Sequence, residues 1–333
     1  MHRRRMTAVY AAAHFFVDGC CALVVCRFAR PDPRWLTAVL LYNFCASALQ
    51  APLGLLADRL GHGRVFAMTG CLLIAATPLL SGAPVALSVL AGVGNALFHI
   101  GGGRDVLCES EGRAGRLGVF VSPGAFGLFL GQLLRDSLPV LWLVPLLMIL
   151  CALAVAAFCP ALPGRGLSLR LNRAGRKPLL SLALLFAVVA LRSCGGFLFR
   201  FDWKQGAWLW VFTGCVVLGK TAGGFAMDRF GAWRTAAGSL ALAALGFLGG
   251  ALPAAGCLVV LLFNMTMPVT LREAADQLPG APGFSFGLLT LALFLGFLPT
   301  WLGWPLPVGV PVWTGLCLIS LALMLPAVRR RSA

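Results

Sequence analysis

Two pairs of polar residues interrupt long apolar runs at helical spacing: His14 and Asp18 lie four apart, and so do Asn95 and His99. On a helix that spacing puts both members of a pair on one face. An imidazole and a carboxylate so placed can share a proton or a ligand, and histidine is the side chain whose ordinary pKa lies closest to neutrality. Asp18 sits well inside its apolar run, where a carboxylate must be protonated, paired or hydrated. His99, nearer the end of its run, reads as a packing histidine. Arg192 lies about 12 Å from the outer end of its segment by helical rise; a guanidinium at that depth either faces a cavity or a partner or snorkels part of the way outward. Lys220 reads either as facing inward or as reaching along its helix towards water. Asn264, Thr266 and Thr270 complete the polar set, in Asn264-Met-Thr266-Met-Pro-Val-Thr270.

The elements that must position these groups are membrane helices. Of 333 residues, 59% are hydrophobic and 11% charged, and the mean hydropathy is +0.89. No soluble core can hide so much apolar surface. Apolar stretches of about 20 residues, enough to cross about 30 Å of hydrocarbon, recur at 6–27, 35–57, 65–81, 84–103, 116–134, 138–159, 178–200, 206–227, 234–252, 254–271, 283–303 and 306–326. Barrel-type alternation is absent, so the spans are helical.

The net charge of +16 marks orientation rather than a nucleic-acid partner, because the basic residues are scattered between spans with no soluble domain to carry a binding face. With a cytoplasmic N-terminus, Arg27, Arg30, Arg34, Arg135, Arg200 and Lys204 are the outside cations, and most of the 27 lysines and arginines lie inside. That bias predicts cytoplasmic termini. The opening Met-His-Arg-Arg-Arg and its apolar run carry no small-residue cleavage pattern, and read as a retained first span. The twelve cysteines include no Cys-x-x-Cys; they read as small apolar packers, and neither a disulfide framework nor a metal site is indicated.

The chain repeats itself. Gly54-Leu-Leu-Ala-Asp58-Arg59-Leu-Gly61-His-Gly-Arg64 matches Gly224-Phe-Ala-Met-Asp228-Arg229-Phe-Gly231-Ala-Trp-Arg234 at Gly, Asp, Arg, Gly and Arg, with a constant offset of 170 residues. Each copy falls at the end of the second span of a six-span half. An acid there sits badly with its own helix dipole, so Asp58 and Asp228 are expected to answer to a neighbouring helix N-terminus or a loop arginine. The basic stretch from Pro160 to Pro178 reads as a linker between halves 1–160 and 178–333. Parallel six-span repeats are a transporter architecture.

The signature Gly54-x-Leu56-Ala57-Asp58-Arg59-x-Gly61 resembles that of the major facilitator superfamily, and the second copy lies where that family often repeats it. The resemblance implies an all-α membrane protein of twelve transmembrane helices in two pseudo-symmetric six-helix bundles, and a secondary transporter working by alternating access without a cofactor. It also implies a cytoplasmic latch built from Asp58, Arg59, Asp228 and Arg229, with Gly54, Gly61, Arg64, Gly224, Gly231 and Arg234 around them. The family's basic pair after the second Gly is here His62-Gly63, and Ala232-Trp233 in the twin. In span 5, Gly118, Ser122-Pro123-Gly124, Gly127 and Gly131 are similar to a motif of the family's antiporters, with Ser-Pro replacing the usual Gly-Pro; glycines four apart also read as close helix packing. Spans 1, 4, 7 and 10, which carry the strongest polar residues, line the cavity in that family.

Within that resemblance, His14, Asp18, Asn95, His99, Arg192, Lys220, Asn264 and Thr266 become cavity residues. The expected partner is a small anionic or zwitterionic solute. Movement would be coupled to a proton through Asp18, which faces Arg192 in the empty state or forms a static pair with it. The lipid bilayer is the remaining partner, and a monomer in a prokaryotic inner membrane is expected. A lipid-acting membrane enzyme is the alternative from another class, and a non-transporting receptor of the same fold a third. The nearest enzyme-like group, Arg104-Asp105 with Glu109 and Glu111, reads as a solvated cytoplasmic loop. No Gly-rich loop with Lys-Ser/Thr favours ATP-driven transport.

Overall fold

The computed structural model describes residues 2–164, 166–172 and 177–328, and all regular structure among them is helical. Arg165, Arg173 and Arg176 of the expected linker, and Arg329, Arg330 and Arg331 of the tail, lie outside the described residues.

In chain order the helices are α1 (His2–Ala29), α2 (Trp35–Asn43), α3 (Gln50–Leu60), α4 (Gly63–Ala75), α5 (Pro84–Glu109), α6 (Gly115–Val121), α7 (Gly124–Leu133), α8 (Leu138–Phe158), α9 (Pro178–Leu198), α10 (Ala207–Phe230), α11 (Ala232–Gly246), α12 (Pro253–Asn264), α13 (Thr266–Gln277), α14 (Pro282–Trp301) and α15 (Val310–Ala327). Three pairs are single interrupted spans. A π-helical turn, Phe44–Ala48, joins α2 to α3; Ser122 and Pro123 separate α6 from α7, and Met265 separates α12 from α13. Prolines at 123 and 268 account for the last two breaks, since each lacks the amide hydrogen that an uninterrupted helix needs. Among the described residues ten helices are long and apolar enough to cross a membrane. The other two, α4 and α11, occupy matching places in the repeat, and each is prolonged by a 3-10 turn, Thr77–Leu80 and Phe247–Gly249. The twelve expected spans are thus all helical, and the chain is a multi-pass integral membrane protein. Leu79, Trp142, Leu179 and Leu248 are among many large apolar side chains left exposed.

Helix ends follow local chemistry. Pro84, Pro178, Pro253 and Pro282 open helices, where a missing amide hydrogen leaves nothing unpaired. Gly61 and Gly231 close the two signature helices with positive φ of 72° and 85°, a conformation that glycine alone adopts freely.

The residues form two compact units. The first holds Met1–Glu109, Pro123–Leu169 and Gly280–Leu291; the second holds Ser110–Ser122, Arg170–Pro279 and Ala292–Ala333. In the first, α1 packs on α7, α5 and α8, and α4 on α5 and α8. Glycine makes this possible: a Cβ on Gly127 or Gly131 would run into the carbonyls of Phe15 and Gly19, and one on Gly70 into that of Gly94. In the second unit α10 packs on α12, α6 and α13, and α15 on α9 and α11. Its core includes an aromatic cluster in which Phe199 lies 4.9 Å from both Phe247 and Phe263, while Trp313 Nε1 donates to the Leu198 carbonyl at 3.0 Å.

One expectation is overturned here. Arg104 and Asp105 are not in a solvated loop: α5 runs on to Glu109, and their side chains are 2% and 0% exposed. Three successive glycines precede them. A Cβ on Gly101 would strike the Gly63 carbonyl and one on Gly103 the Phe286 ring, so the helix end is drawn into packing where a span ending at residue 103 would leave it.

Candidate functional site

The first unit gathers the two polar pairs into one cluster. Each pair occupies one face of its helix, His14 and Asp18 on α1 and Asn95 and His99 on α5, and the packing of α1 on α5 brings the faces together. His14 Nε2 lies 3.0 Å from Asp18 Oδ2 and 2.8 Å from His99 Nε2. His99 Nε2 is 3.6 Å from Asp18 Oδ1, to which Asn95 Nδ2 donates at 2.9 Å. His99 Nδ1 meets the Asn95 backbone carbonyl at 2.9 Å. The carbonyl can only accept, so this nitrogen carries the hydrogen. His14, Asp18 and His99 thus place one ligand atom each within 4.8 Å of one another. Gly124 of α7 faces them, where a Cβ would collide with His14 Nε2 and Asp18 Oδ2. His99, read from sequence as a packing residue, is part of the cluster. Sequence spacing showed each pair by itself; that His99 meets His14 and Asp18 depends on the packing of α1 against α5.

One turn below His14 on α1, Tyr10 continues the polar face. Its hydroxyl donates to Asp105 Oδ2 at 2.9 Å, Arg104 Nη1 donates to Asp105 Oδ1 at 2.9 Å, and Arg104 Nε lies 3.4 Å from Asp58 Oδ1. Sequence reading passed over Tyr10. Its spacing of four residues from His14 was the available signal.

The repeated acids have matching surroundings. Asp58 Oδ1 and Oδ2 accept from the backbone amides of Gly283 at 3.0 Å and Phe284 at 2.9 Å, in the first turn of α14. Asp228 accepts from the amides of Ala114 at 2.7 Å and Gly115 at 2.9 Å, at the start of α6. Both carboxylates therefore sit on a positive helix terminus. The signature glycines allow the approach: a Cβ on Gly54 would strike the Gly283 carbonyl, and one on Gly224 would lie 2.6 Å from the Ala114 carbonyl. One turn further on, Gly118 faces the Lys220 carbonyl and Gly287 the Gln50 carbonyl. Of the expected neighbours, Arg64 donates to the carbonyls of Ala156 and Cys159 at the end of α8, at 3.4 and 3.3 Å. Arg59, Arg229 and Arg234 are exposed.

The second unit holds the other polar residues. Arg192 is buried with its guanidinium 5.8 Å from the Phe263 ring centre, and its Nε has no hydrogen-bond partner among the described residues. Lys220 Nζ donates to the Val121 carbonyl at 3.4 Å. Asn264 and Thr266 bond back to their own helix, to the carbonyls of Val260 at 2.8 Å and Phe263 at 3.0 Å. Ser122, where the antiporter motif has Gly, meets the Thr221 hydroxyl at 2.7 Å. Asp18 takes its partners from the first unit, and Arg192 makes no ion pair among the described residues.

No protein-family model and no curated protein sequence matches the chain. Solved structures do. The E. coli fucose:proton symporter is similar with a TM-score of 0.68 at 13% identity, over 98% of each chain. The human organic anion transporter MFSD10 gives 0.69 at 17% identity, over 97% of this chain and all of the other. A bacterial homologue of the iron transporter ferroportin, in an outward-facing state, gives 0.63 at 15% identity over 97% of each. The chain therefore has an all-helical membrane fold similar to that of these major facilitator superfamily transporters.

Proposed function

We propose that this protein is a secondary transporter that moves a small solute across a prokaryotic inner membrane by alternating access. The observation that carries the reading is the twofold use of one device. At matching positions of the repeat, an acid ending the second helix of its half holds the N-terminus of a helix from the other half of the sequence. A lone helix cap has no need of a twin; two in register suit two states of comparable free energy. The organisation into bundles 1–160 and 178–333, joined by the 161–177 linker, goes with this reading, as do a monomer and cytoplasmic termini.

The solute carries an anionic group. Arg192 supports this, being buried without an ion pair among the described residues, and a guanidinium can take a carboxylate or phosphate with two parallel hydrogen bonds. Movement is coupled to a cation held at the Asp18 cluster, a proton in the simplest case. Thermal shift of the purified full-length chain against panels of organic anions, sugars, amino acids and hydrophobic cations tests the class. Anions are expected to raise the unfolding midpoint of wild type by mass action and to leave Arg192→Gln unmoved. Stabilisation confined to neutral or cationic compounds would remove the anion reading.

A further inference from the structure

We infer that His14, Asp18 and His99 form a binding site for a divalent first-row transition metal ion. As a statement about binding it stands by itself; only the use of the ion, as coupling ion or cargo, rests on the transporter reading.

The first support is the direction of the lone pairs. With its Nδ1 hydrogen given to the Asn95 carbonyl, neutral His99 presents a lone pair at Nε2, and this atom lies 2.8 Å from His14 Nε2. Asp18 Oδ2 is 3.0 Å from the same His14 nitrogen. His14 Nε2 thus has a ligand atom of each neighbour within 3.0 Å, and the three groups converge on one point. A cation at their centre would satisfy all three groups. In a tetrahedral site with bonds of about 2.0–2.1 Å the ligand atoms stand about 3.3 Å apart. His14 Nε2 lies 2.8 Å from His99 Nε2 and 3.0 Å from Asp18 Oδ2, and His99 Nε2 lies 3.6 Å from the other carboxylate oxygen, Oδ1, all within a few tenths of an ångström to half an ångström of that value.

The second support is the shell around the ligands. Metal-binding histidines characteristically give their other ring hydrogen to a carbonyl or carboxylate, which fixes tautomer and ring orientation. His99 does so with the Asn95 backbone, and the Asn95 side chain holds Asp18. One helical turn of α5 thus orients two of the three ligands.

Access is the third. Gly124 of α7 packs directly against His14 Nε2 and Asp18 Oδ2, where a Cβ would collide with both, and the cluster stays open on its other side. The Asp18 and His99 side chains remain 21% and 12% exposed, which gives a fourth ligand, a water or a group of the solute, a way in. Two imidazoles with one carboxylate suit zinc, cobalt, nickel or ferrous iron; calcium and magnesium prefer all-oxygen sets.

The test uses the full-length chain in lipid nanodiscs titrated with cobalt(II). Saturable uptake of one ion per chain, with the visible absorption of a four-coordinate site and displacement by zinc, is expected. His14→Ala and His99→Ala should lose the absorption, Asn95→Leu should weaken binding roughly 10- to 100-fold, and His62→Ala should leave it unchanged. A second measurement needs no variant: zinc but not magnesium should protect His14 and His99 of wild type from acylation by diethyl pyrocarbonate, read by peptide mass spectrometry. Absence of saturable cobalt, an unchanged spectrum in His99→Ala, or unprotected histidines would each overturn the site. Any of these would leave the transporter reading standing, with the cluster assigned to the proton. Solute uptake by vesicles is scored separately, so a chain that binds cobalt and moves nothing would defeat the transport reading instead.

Discussion

Asp58 and Asp228 perform one task in unequal settings, and the difference is measurable. Both accept two backbone amides at a helix start, yet Asp58 also faces Arg104, with both side chains 2% exposed, whereas Asp228 is half-buried. Removing one partner of a buried ion pair costs about 3–5 kcal/mol; losing a carboxylate from a helix N-terminus costs about 0.5–2 kcal/mol. Asp58→Ala should therefore lower the unfolding midpoint clearly more than Asp228→Ala, and equal shifts would show that Arg104 is adequately held by Asp105 alone. The milder Asp58→Asn and Asp228→Asn should leave the chain folded and change how often it opens to each side. Single-cysteine probes on the two sides of the membrane read that ratio, and unchanged labelling in both variants would end the latch assignment.

Glycine placement decides the helix contacts, and not all glycines are alike in this respect. Gly127 lies under the Phe15 carbonyl, so a methyl group there must push α1 and α7 apart; overpacking of this kind costs about 1–3 kcal/mol. Gly238 and Gly315 sit in α11 and α15 with nothing within 4 Å of an added Cβ. Alanine at either should be neutral or stabilising by about 0.5–1 kcal/mol, from helix propensity alone. Thermal unfolding of Gly127→Ala, Gly238→Ala and Gly315→Ala checks the contrast. If Gly127→Ala is as stable as the other two, the α1–α7 approach is looser than described. The Gly70 and Gly94 pair belongs with Gly127, since each faces the other's carbonyl.

At the scale of the molecule the basic residues make the claim. Their bias predicts that the two termini and the basic linker share the cytoplasmic side. A fusion protein that fluoresces only in the cytoplasm, placed at the C-terminus, should light up. A cysteine replacing exposed Leu169, in a background whose native cysteines are replaced, should resist a membrane-impermeant maleimide until the cells are opened. A dark fusion, or labelling of intact cells, would invert the orientation. Inversion would not disturb the fold, because helices are set by hydrophobic length and packing while orientation is set by loop charge.

Much of this protein is written along the chain, and the parts that are not have a common reason. Span positions follow from apolar length, helix ends from proline and glycine, and the duplication from an identity pattern; none needs knowledge of what touches what. The pairs His14–Asp18 and Asn95–His99 were legible for the same reason, four residues being one turn of helix. That the pairs meet was not legible, since it depends on how closely α1 and α5 approach, and residue 124 must be glycine for α7 to pack against them. Nor was the burial of Arg104 and Asp105: a charged pair after three glycines has the composition of a loop. Only the packing of Gly101 against Gly63 and Gly103 against Phe286, with Tyr10 and Asp58 waiting as partners, turns it into the interior of a helix bundle. Local periodicity determined the elements and their faces, and the tertiary structure alone decided which faces share their charges, because that choice depends on contacts between residues tens to hundreds of positions apart.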